Sequence, residues 1–176
     1  MMILFLLAIS LQRVTAPIAT NQELLQQIIE ILEKRDEEIL IQRAYSEPFS
    51  PELFYEALRI YVKYPDIVYR QAVLETGWFK SNVFKDLNNM FGMHYPKDRE
   101  TTATGWRWGD PYNGRHYRLS RYNNWIDCVK DFAMWQNYWE SKGKSLHDYY
   151  KFLEELPYAT AKNYIKTLKI IENPHV

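Results

Sequence analysis

The sequence predicts a mostly helical α+β domain with one small β-hairpin lobe, preceded by an amphipathic N-terminal helix. Its 176 residues suit one compact domain plus an appendage. Apolar residues recur at helical spacing through most of the chain. The stretch from Thr101 to Tyr122 loses that period and instead combines β-forming residues with glycine and proline, which indicates a hairpin.

The first 20 residues contain an apolar run, Met2 to Leu11, that is shorter than the roughly 20 residues needed to cross a bilayer. Its length is typical of the hydrophobic part of a signal peptide. No Lys or Arg precedes the run, however, and the small-residue cleavage site at Ala16 is followed by Pro17. Residues 1–20 are therefore predicted to form either a signal peptide for export or an apolar N-terminal helix.

Residues 21–49 are predicted to form an amphipathic helix followed by a linker. Four apolar residues lie at helical spacing between Gln22 and Gln42: Leu25, Ile28, Leu32 and Ile39. This apolar seam favours docking on the domain or self-association through residues 22–42. Arg35 interrupts the seam, so a stable coiled coil is not secured. Tyr45 to Phe49 is interpreted as the linker.

Residues 50–176 are predicted to form one continuous domain that opens with two helices. Ser50 is a helix-capping residue followed by Pro51, and this first helix should run to about Tyr64. Asp66 is expected to cap the second helix and Gly77 to end it. Glu75 would then lie in a last helical turn.

Three further helices are predicted after the hairpin. Asn123 or Asn124 should cap a helix that ends before Gly143. The run from Ser145 to Asp148 resembles a capping box for the next helix, and Ala161 to Glu172 should form the last.

Charge and cysteine content exclude several functional classes. Lys plus Arg and Asp plus Glu are both 22, so the net positive field that attracts nucleic acid is missing and no nucleic-acid partner is predicted. The single cysteine, Cys128, excludes an intramolecular disulfide framework and is predicted to be a packed apolar residue. The four histidines lie far apart in the sequence, so neither a metal site nor a cofactor is predicted.

Glu75 is the candidate for acid catalysis, since it is the one acid in the apolar and aromatic stretch from Gln71 to Ser81. Desolvation and the negative end of a helix dipole both favour the protonated carboxyl. A glycosidase needs such a group to protonate a leaving oxygen. From position alone, a solvated glutamate at a helix end is the alternative.

Four sequence blocks, spread over residues 50–172, resemble the glucosaminidase-type peptidoglycan hydrolases of glycoside hydrolase family 73, in the lysozyme-like superfamily. The family pattern is roughly Gln-Ala-x-Leu-Glu-Ser/Thr-Gly-Trp, a spacer, and Asn-Asn-Leu/Met-Phe-Gly. Matching segments here are Gln71–Ser81, Asn88–Met93, Tyr122–Phe132 and Tyr158–Leu168. Their shared order and spacing make the resemblance specific.

The resemblance implies a lysozyme-like helical domain that hydrolyses the glycan strand of bacterial peptidoglycan as an endo-β-N-acetylglucosaminidase. Glu75 would be its catalytic acid. Such an autolysin or endolysin would act in the cell envelope, be secreted, or be phage-encoded. The alternatives are a muramidase or lytic transglycosylase on the same fold, or a catalytically silent module that binds cell wall.

Two further catalytic candidates follow from the resemblance. Related enzymes often place a second acid on the hairpin lobe, and Glu100 is chosen over Asp98 and Asp110 because it directly precedes the hairpin. An ordinary surface acid is the alternative, and other members of the family manage without a well-placed second acid. Tyr158 matches a tyrosine near the family's active site, where it would orient the N-acetyl group or water; a buried core tyrosine is its alternative.

The predicted substrate-binding residues come from two regions. Asn89 and Phe91 belong to the second family-like block, whereas Trp106, Trp108 and Tyr117 lie among arginines in the hairpin. Aromatic faces suit sugar rings, and arginine suits the carboxylates of lactyl groups or stem peptides. An amphipathic hairpin that packs ring faces on the core is the alternative.

Overall fold

The computed structural model describes residues 20–111, 116–156, 158 and 163–175. The described residues divide into two compact units, one that ends at Ile39 and one that begins at Leu40. The predicted fold class is confirmed: the described residues are mostly helical, with one two-stranded sheet and an N-terminal helix. The signal peptide or apolar helix predicted for residues 1–20 lies, apart from Thr20, outside the described residues.

The described elements follow one another in a simple order. They are α1 (Asn21–Ser46), α2 (Pro51–Tyr61), α3 (Pro65–Thr76), α4 (Asn82–Leu87), β1 (Gly105–Trp108), β2 (Arg118–Arg121), α5 (Trp125–Ser141), α6 (Tyr149–Glu155) and α7 (Tyr164–Ile170).

Helix α1 is longer than predicted. Tyr45, which was interpreted as linker, lies in its last turn. The Tyr45 hydroxyl donates a hydrogen bond to Asp127 Oδ2 at 2.9 Å. Leu40 and Ala44 are buried in the second unit, whereas the apolar side chains between residues 24 and 32 are exposed. Self-association through residues 22–42 stays a prediction. None of the described helices is long and apolar enough to cross a membrane.

Helices α2 and α3 begin and end near the predicted positions. Ser50 caps α2 as predicted, since its hydroxyl accepts from the Leu53 N–H, but α2 already ends at Tyr61. The prediction that Asp66 caps α3 is wrong. Tyr64 occupies the cap position in a left-handed conformation, and Asp66 instead accepts a hydrogen bond from the Tyr55 hydroxyl.

The predicted hairpin is confirmed but short. Strands β1 and β2 pair antiparallel, with Trp106 opposite Ser120 and Trp108 opposite Arg118. The segment before the hairpin runs along the other edge of β2, because Ser120 N–H donates to Met93 O at 2.9 Å. Residues 93–95 therefore continue the sheet toward the helical part of the unit.

The helices after the hairpin confirm one predicted cap and shift another. Asn124 caps α5 in a capping box with Asp127. Helix α6 is capped by Asp148 rather than Ser145, because the Asp148 carboxylate accepts from the Lys151 N–H. Helix α7 begins only at Tyr164, and positions 161 and 162 of its predicted span lie outside the described residues.

The core of the second unit is rich in aromatic rings. Phe49 packs against Phe54, Phe79, Phe84 and Trp125, with ring centroids 5.0–6.1 Å apart. Such edge and tilted contacts add to the stabilisation that burial provides. Cys128 is fully buried, which confirms its predicted packing role, and burial raises the pKa of its thiol.

A buried carboxylate connects the hairpin region to α5. The Asp131 side chain is inaccessible to solvent and forms two hydrogen bonds with the Arg99 guanidinium, at 2.7 and 3.1 Å. The Tyr122 hydroxyl donates a third at 2.7 Å. Because a buried charge is costly unless paired and hydrogen-bonded, this network fixes the loop before β1 and the residue after β2 on one helix.

Replacing Arg99 with methionine should lower the free energy of unfolding by about 3–5 kcal/mol, because the buried Asp131 carboxylate loses its cation. Urea unfolding followed by circular dichroism measures the change. Arg121 is exposed on β2, and Arg121→Met is the matched control, with an expected change within about 0.5 kcal/mol. A loss below about 1 kcal/mol for Arg99→Met would contradict the role given to this pair.

Candidate active site

Glu75 lies in the last turn of α3, as predicted. Gly77 ends the helix at φ +55°, a left-handed conformation that glycine adopts without strain, and Trp78 N–H donates to Val73 O at 2.8 Å. The carboxyl therefore sits at the negative end of the helix dipole, which disfavours its ionised form.

Two buried polar residues, Tyr164 and Gln71, lie behind the Glu75 carboxyl. The Tyr164 hydroxyl, on α7, donates a hydrogen bond to Glu75 Oε1 at 2.9 Å. Gln71 lies one helical turn before Glu75, is fully buried, and places its Nε2 3.5 Å from the same hydroxyl. Burial, followed by the nearby Glu75 carboxyl, raises the pKa of Tyr164, so its hydroxyl remains a donor.

Gly92 lies near the other carboxyl oxygen of Glu75. A Cβ at position 92 would lie 3.8 Å from Glu75 Oε2, and the residue has φ +62°. A larger residue would be strained there, since side chains other than glycine rarely adopt this conformation. The Asn-Asn-Met-Phe-Gly segment thus ends close to the acid.

Two effects of opposite sign act on the protonation of Glu75. Burial raises the pKa of Glu75 above its ordinary value, and the hydrogen bond from Tyr164 lowers it by a smaller amount. The residue as a whole still has substantial solvent-accessible surface, although protein surrounds much of its carboxyl. A carboxyl that tends to stay protonated on a solvent-accessible residue is suited to donate a proton to a bound ligand.

The turn after Glu75 holds two aromatic rings in opposite environments. Gly77, Trp78 and Phe79 all have φ between 55° and 61°, an uncommon conformation for non-glycine residues. Phe79 packs into the core aromatic cluster, and its N–H donates to the Thr76 hydroxyl at 2.8 Å. Trp78 is 61% exposed, so the turn places a solvent-accessible indole beside the acid.

Tyr158 lies near the acid but does not contact it through a hydrogen bond. Its hydroxyl donates to Phe91 O at 3.0 Å, and its ring centroid is 6.0 Å from that of Tyr164. Burial is the main cause that raises the pKa of Tyr158, and the Glu75 carboxyl adds to it. The tyrosine bonded to Glu75 is thus Tyr164, whereas Tyr158 braces the backbone next to Gly92.

Asn89 and Phe91, predicted to bind substrate, are buried in the described structure. The Asn89 side chain exchanges hydrogen bonds with Met93 and donates to Ser120 O, at 2.8–3.0 Å. The Phe91 ring packs on Phe132 with centroids 4.2 Å apart. We therefore assign both side chains to the support beneath Gly92 rather than to ligand contact.

The three acids considered for the second catalytic carboxylate lie in different surroundings. Asp98 accepts a hydrogen bond from the Tyr138 hydroxyl at 2.8 Å. Glu100 is exposed, and within the described part of the chain its carboxylate has no hydrogen bond to Glu75, Tyr158 or Tyr164. Asp110 is exposed beyond the end of β1.

Trp106, Trp108 and Tyr117 come together on the hairpin. The two indoles meet edge to face with centroids 4.9 Å apart and are 40% and 56% exposed. Together with Tyr117 they line a cleft of about 530 Å³, which also includes Arg118. The predicted grouping of aromatic and basic residues therefore exists on the surface of the hairpin.

The described residues contain no group of three or more His, Cys, Asp and Glu side chains arranged to hold a metal ion.

Four residues of the site were not predicted from the sequence, although all of them lie inside the family-like blocks: Tyr164, Gln71, Gly92 and Trp78. Tyr164 follows Tyr158 by six residues, so the spacing alone did not show which hydroxyl reaches Glu75. Glycine in an otherwise apolar segment is the usual signal for close backbone approach, and it could have identified Gly92.

Comparison with solved structures gives distant likenesses. A peptidoglycan hydrolase mutant from Sphingomonas sp. A1 is 23% identical, with a TM-score of 0.45, over 67% of this chain and 83% of that chain. A truncated glycoside hydrolase domain of FlgJ from Salmonella typhimurium is 17% identical, with a TM-score of 0.46, over 66% and 88%. The catalytic domain of the autolysin Auto from Listeria monocytogenes is 21% identical, with a TM-score of 0.42, over 77% and 90%.

Comparison with curated proteins gives no significant match. A family model described as "Glucosaminidase: Mannosyl-glycoprotein endo-beta-N-acetylglucosaminidase" matches residues 51–174, more than half of the chain. The matched span contains Glu75 with its surrounding residues and the hairpin cleft, and it confirms the resemblance carried by the four sequence blocks. The chain therefore belongs to the glucosaminidase family of glycoside hydrolases.

Proposed function

We propose that the protein is an endo-β-N-acetylglucosaminidase that hydrolyses the glycan strand of bacterial peptidoglycan, with Glu75 as the general acid. The observation that carries the proposal is the setting of Glu75: a solvent-accessible residue at a helix end, whose carboxyl accepts from Tyr164, lies near Gly92 and has its pKa raised by burial. The sequence blocks around it resemble those of peptidoglycan hydrolases. The site of action would be the cell envelope or the exterior of the cell.

In the proposed reaction, the Glu75 carboxyl gives its proton to the glycosidic oxygen as the bond between that oxygen and the anomeric carbon breaks. A water molecule then forms the new bond to the anomeric carbon, and its proton passes to a base. Glu100 is our choice for the group that positions this water. Tyr164 holds the Glu75 carboxyl at one oxygen, which leaves the other oxygen, beside Gly92, to face the ligand.

Exposed rings near the acid would bind the sugars. Trp78 follows Glu75 by three residues, and the indoles of Trp106 and Trp108 extend from the hairpin. Tyr117 completes the aromatic lining of the hairpin cleft. Stacking on exposed aromatic faces needs no charge on the ligand, so it suits a neutral glycan backbone.

The products of digestion test the type of bond that is cut. Peptidoglycan digested by the protein is reduced with borohydride and analysed by mass spectrometry, and reduced N-acetylglucosamine ends are expected. Mainly reduced muramic ends would indicate a muramidase, and anhydromuramic ends would indicate a lytic transglycosylase. Either result would overturn the glucosaminidase assignment while leaving Glu75 as the acid.

Glu75→Gln is the matched variant for this experiment, because the amide has nearly the same volume but has no acidic proton to donate. Turnover should fall by about 10²–10⁴-fold, the usual contribution of general acid catalysis. Circular dichroism should show an unchanged fold. Retention of more than about a tenth of the wild-type turnover at every pH would exclude Glu75 as the acid.

Tyr164→Phe should shift the high-pH limb of the kcat/KM profile to higher pH. The hydrogen bond from Tyr164 favours the ionised carboxylate, so its removal lets burial raise the pKa of Glu75 further. The general acid acts only when protonated, and activity should therefore persist to higher pH. Tyr138→Phe, which removes a hydroxyl bonded to Asp98 on the surface, is the control. A limb that moves to lower pH would contradict the proposed role.

Glu100→Ala should lower turnover at least about tenfold with little change in KM, as expected for an interaction made mainly in the transition state. Asp110→Ala is the control, since it removes another exposed acid next to the same hairpin. Wild-type turnover of Glu100→Ala would remove the role given to Glu100, and the substrate's N-acetyl group would then be the candidate for the place of the second carboxylate.

A further inference from the structure

We propose that the hairpin cleft binds a carboxylate on the branch at O3 of muramic acid, so that the enzyme recognises the acidic branch of peptidoglycan as well as its sugars. This inference rests on the proposed function and adds a ligand class to it. The cleft has a volume of about 530 Å³ and combines bare aromatic surface with two cationic side chains, Lys97 and Arg118.

The described residues that line the cleft include no acidic side chain, and two nearby acids are paired elsewhere. Asp86 pairs with Arg107, which alternates with the two tryptophans along β1 and so lies on the opposite face of the hairpin. Asp98 accepts from Tyr138. Among the described residues, neither Lys97 nor Arg118 forms an ion pair with a carboxylate. Within the described part of the chain, the two cationic side chains of the cleft thus lie without a paired acid.

The Arg118 guanidinium is held in place by aromatic rings rather than by an acid. Its central carbon lies 5.6 Å from the centroid of the Trp106 ring and 5.9 Å from that of Tyr95. An arginine stacked in this way keeps its N–H edge available, and that edge matches the two oxygens of a carboxylate. Because the rings already restrict the side chain, less rotamer freedom is lost when the anion binds.

The same cleft provides a surface for a sugar ring. Trp108 is directly opposite Arg118 in the β1–β2 register, so both side chains lie on one face of the sheet. Trp106 meets Trp108 edge to face, and both indoles are exposed. A ligand that combines a sugar face with a nearby carboxylate would use both features, whereas a neutral sugar would leave the guanidinium unpaired.

The backbone connects this cleft to the acid. Gly92 lies near Glu75 Oε2, and His94, which lines the cleft, is two residues further along a segment that pairs with β2. An extended chain rises about 3.3 Å per residue, so the Cα atoms of Gly92 and His94 are at most about 7 Å apart. A branch held in the cleft would thus fix the glycan strand close to the acid.

Two sources supply such a carboxylate. In intact peptidoglycan the lactyl group is amide-linked to the stem peptide, and the free carboxylates belong to that peptide. In glycan stripped of its peptides, the lactyl carboxylate itself is free. N-Acetylglucosamine oligomers have neither group. Comparison of the three ligands separates recognition of the peptide, of the lactyl group and of the sugars alone.

Fluorescence titration of the full-length Glu75→Gln protein tests the inference, because Trp106 and Trp108 line the cleft and the ligands stay intact. The probes are an N-acetylglucosaminyl-muramyl tetrapeptide, the same disaccharide with a free lactyl carboxylate, the amidated form of each, and an N-acetylglucosamine tetramer. At least one acidic probe should bind about tenfold more tightly than its amidated form, as expected for one charge-assisted pair. The probe that shows the difference identifies the source of the carboxylate.

Arg118→Gln, made in the same background, should remove the preference for acid over amide, and Arg118→Lys should restore part of it. Arg121→Gln is the matched control, since Arg121 is exposed on the same strand but three positions away and so on the opposite face. Lys97→Gln provides a second test that leaves the rings around Arg118 untouched. Circular dichroism verifies the fold of each variant.

Equal binding of the acidic and amidated forms of both probes would overturn the inference. So would a preference that survives in the Arg118→Gln/Lys97→Gln double variant. Failure of the proposed function gives a different result: the wild-type protein would release no N-acetylglucosamine ends from peptidoglycan, whatever the titrations show.

Discussion

The buried carboxylate of Asp131 is the interaction on which the arrangement of the hairpin depends. Arg99 reaches it from the loop before β1, and Tyr122 reaches it from the residue that follows β2. Both ends of the hairpin region are therefore attached to one point on α5. In a medium of low polarity such a network tolerates little displacement, because any lost partner leaves a charge without water or counter-ion. The aromatic cleft and Glu100 both lie on the chain held in this way.

The pKa of Glu75 reflects two opposing effects, burial of the carboxyl and one hydrogen bond from Tyr164. Crowding by protein favours the protonated carboxyl, whereas the Tyr164 hydroxyl favours the carboxylate that remains after proton transfer. A group that must lose its proton and regain it in each cycle benefits from support in both states. Tyr164 thus acts as a positioning residue, and Gln71 behind it is buried together with the hydroxyl it approaches.

Features that depend on neighbouring residues were predictable from the sequence. Ser50, Gly77 and Asn124 begin or end their helices as expected, because capping needs only the adjacent backbone. Contacts between distant residues were not predictable in this way: Tyr45, interpreted as linker, lies in the last turn of a helix and bonds to Asp127, 82 positions away.

The contacts of the candidate active site were equally hard to predict, because they join residues that are distant in the sequence. The block Asn88–Met93 was predicted to belong to the site, yet only the three-dimensional structure separates buried Asn89 and Phe91 from Gly92, which lies near the acid. The partner of Glu75 is 89 positions away in the sequence, and it is Tyr164 rather than Tyr158, the tyrosine of the same block that was predicted to belong to the site. Helix α4 was not predicted, because its six residues are too few for a helical period to be visible in the sequence.

The position of Cys128 gives the protein an internal reporter of local opening. Its sulfur accepts a hydrogen bond from the Met90 N–H at 3.3 Å, directly beneath the turn that leads to Gly92. Since only an exposed thiolate reacts with alkylating reagents, this buried thiol becomes reactive when the segment under the active site separates from α5. The chain has no other cysteine. The rate of alkylation would therefore measure how often this support opens, independently of any measurement of turnover.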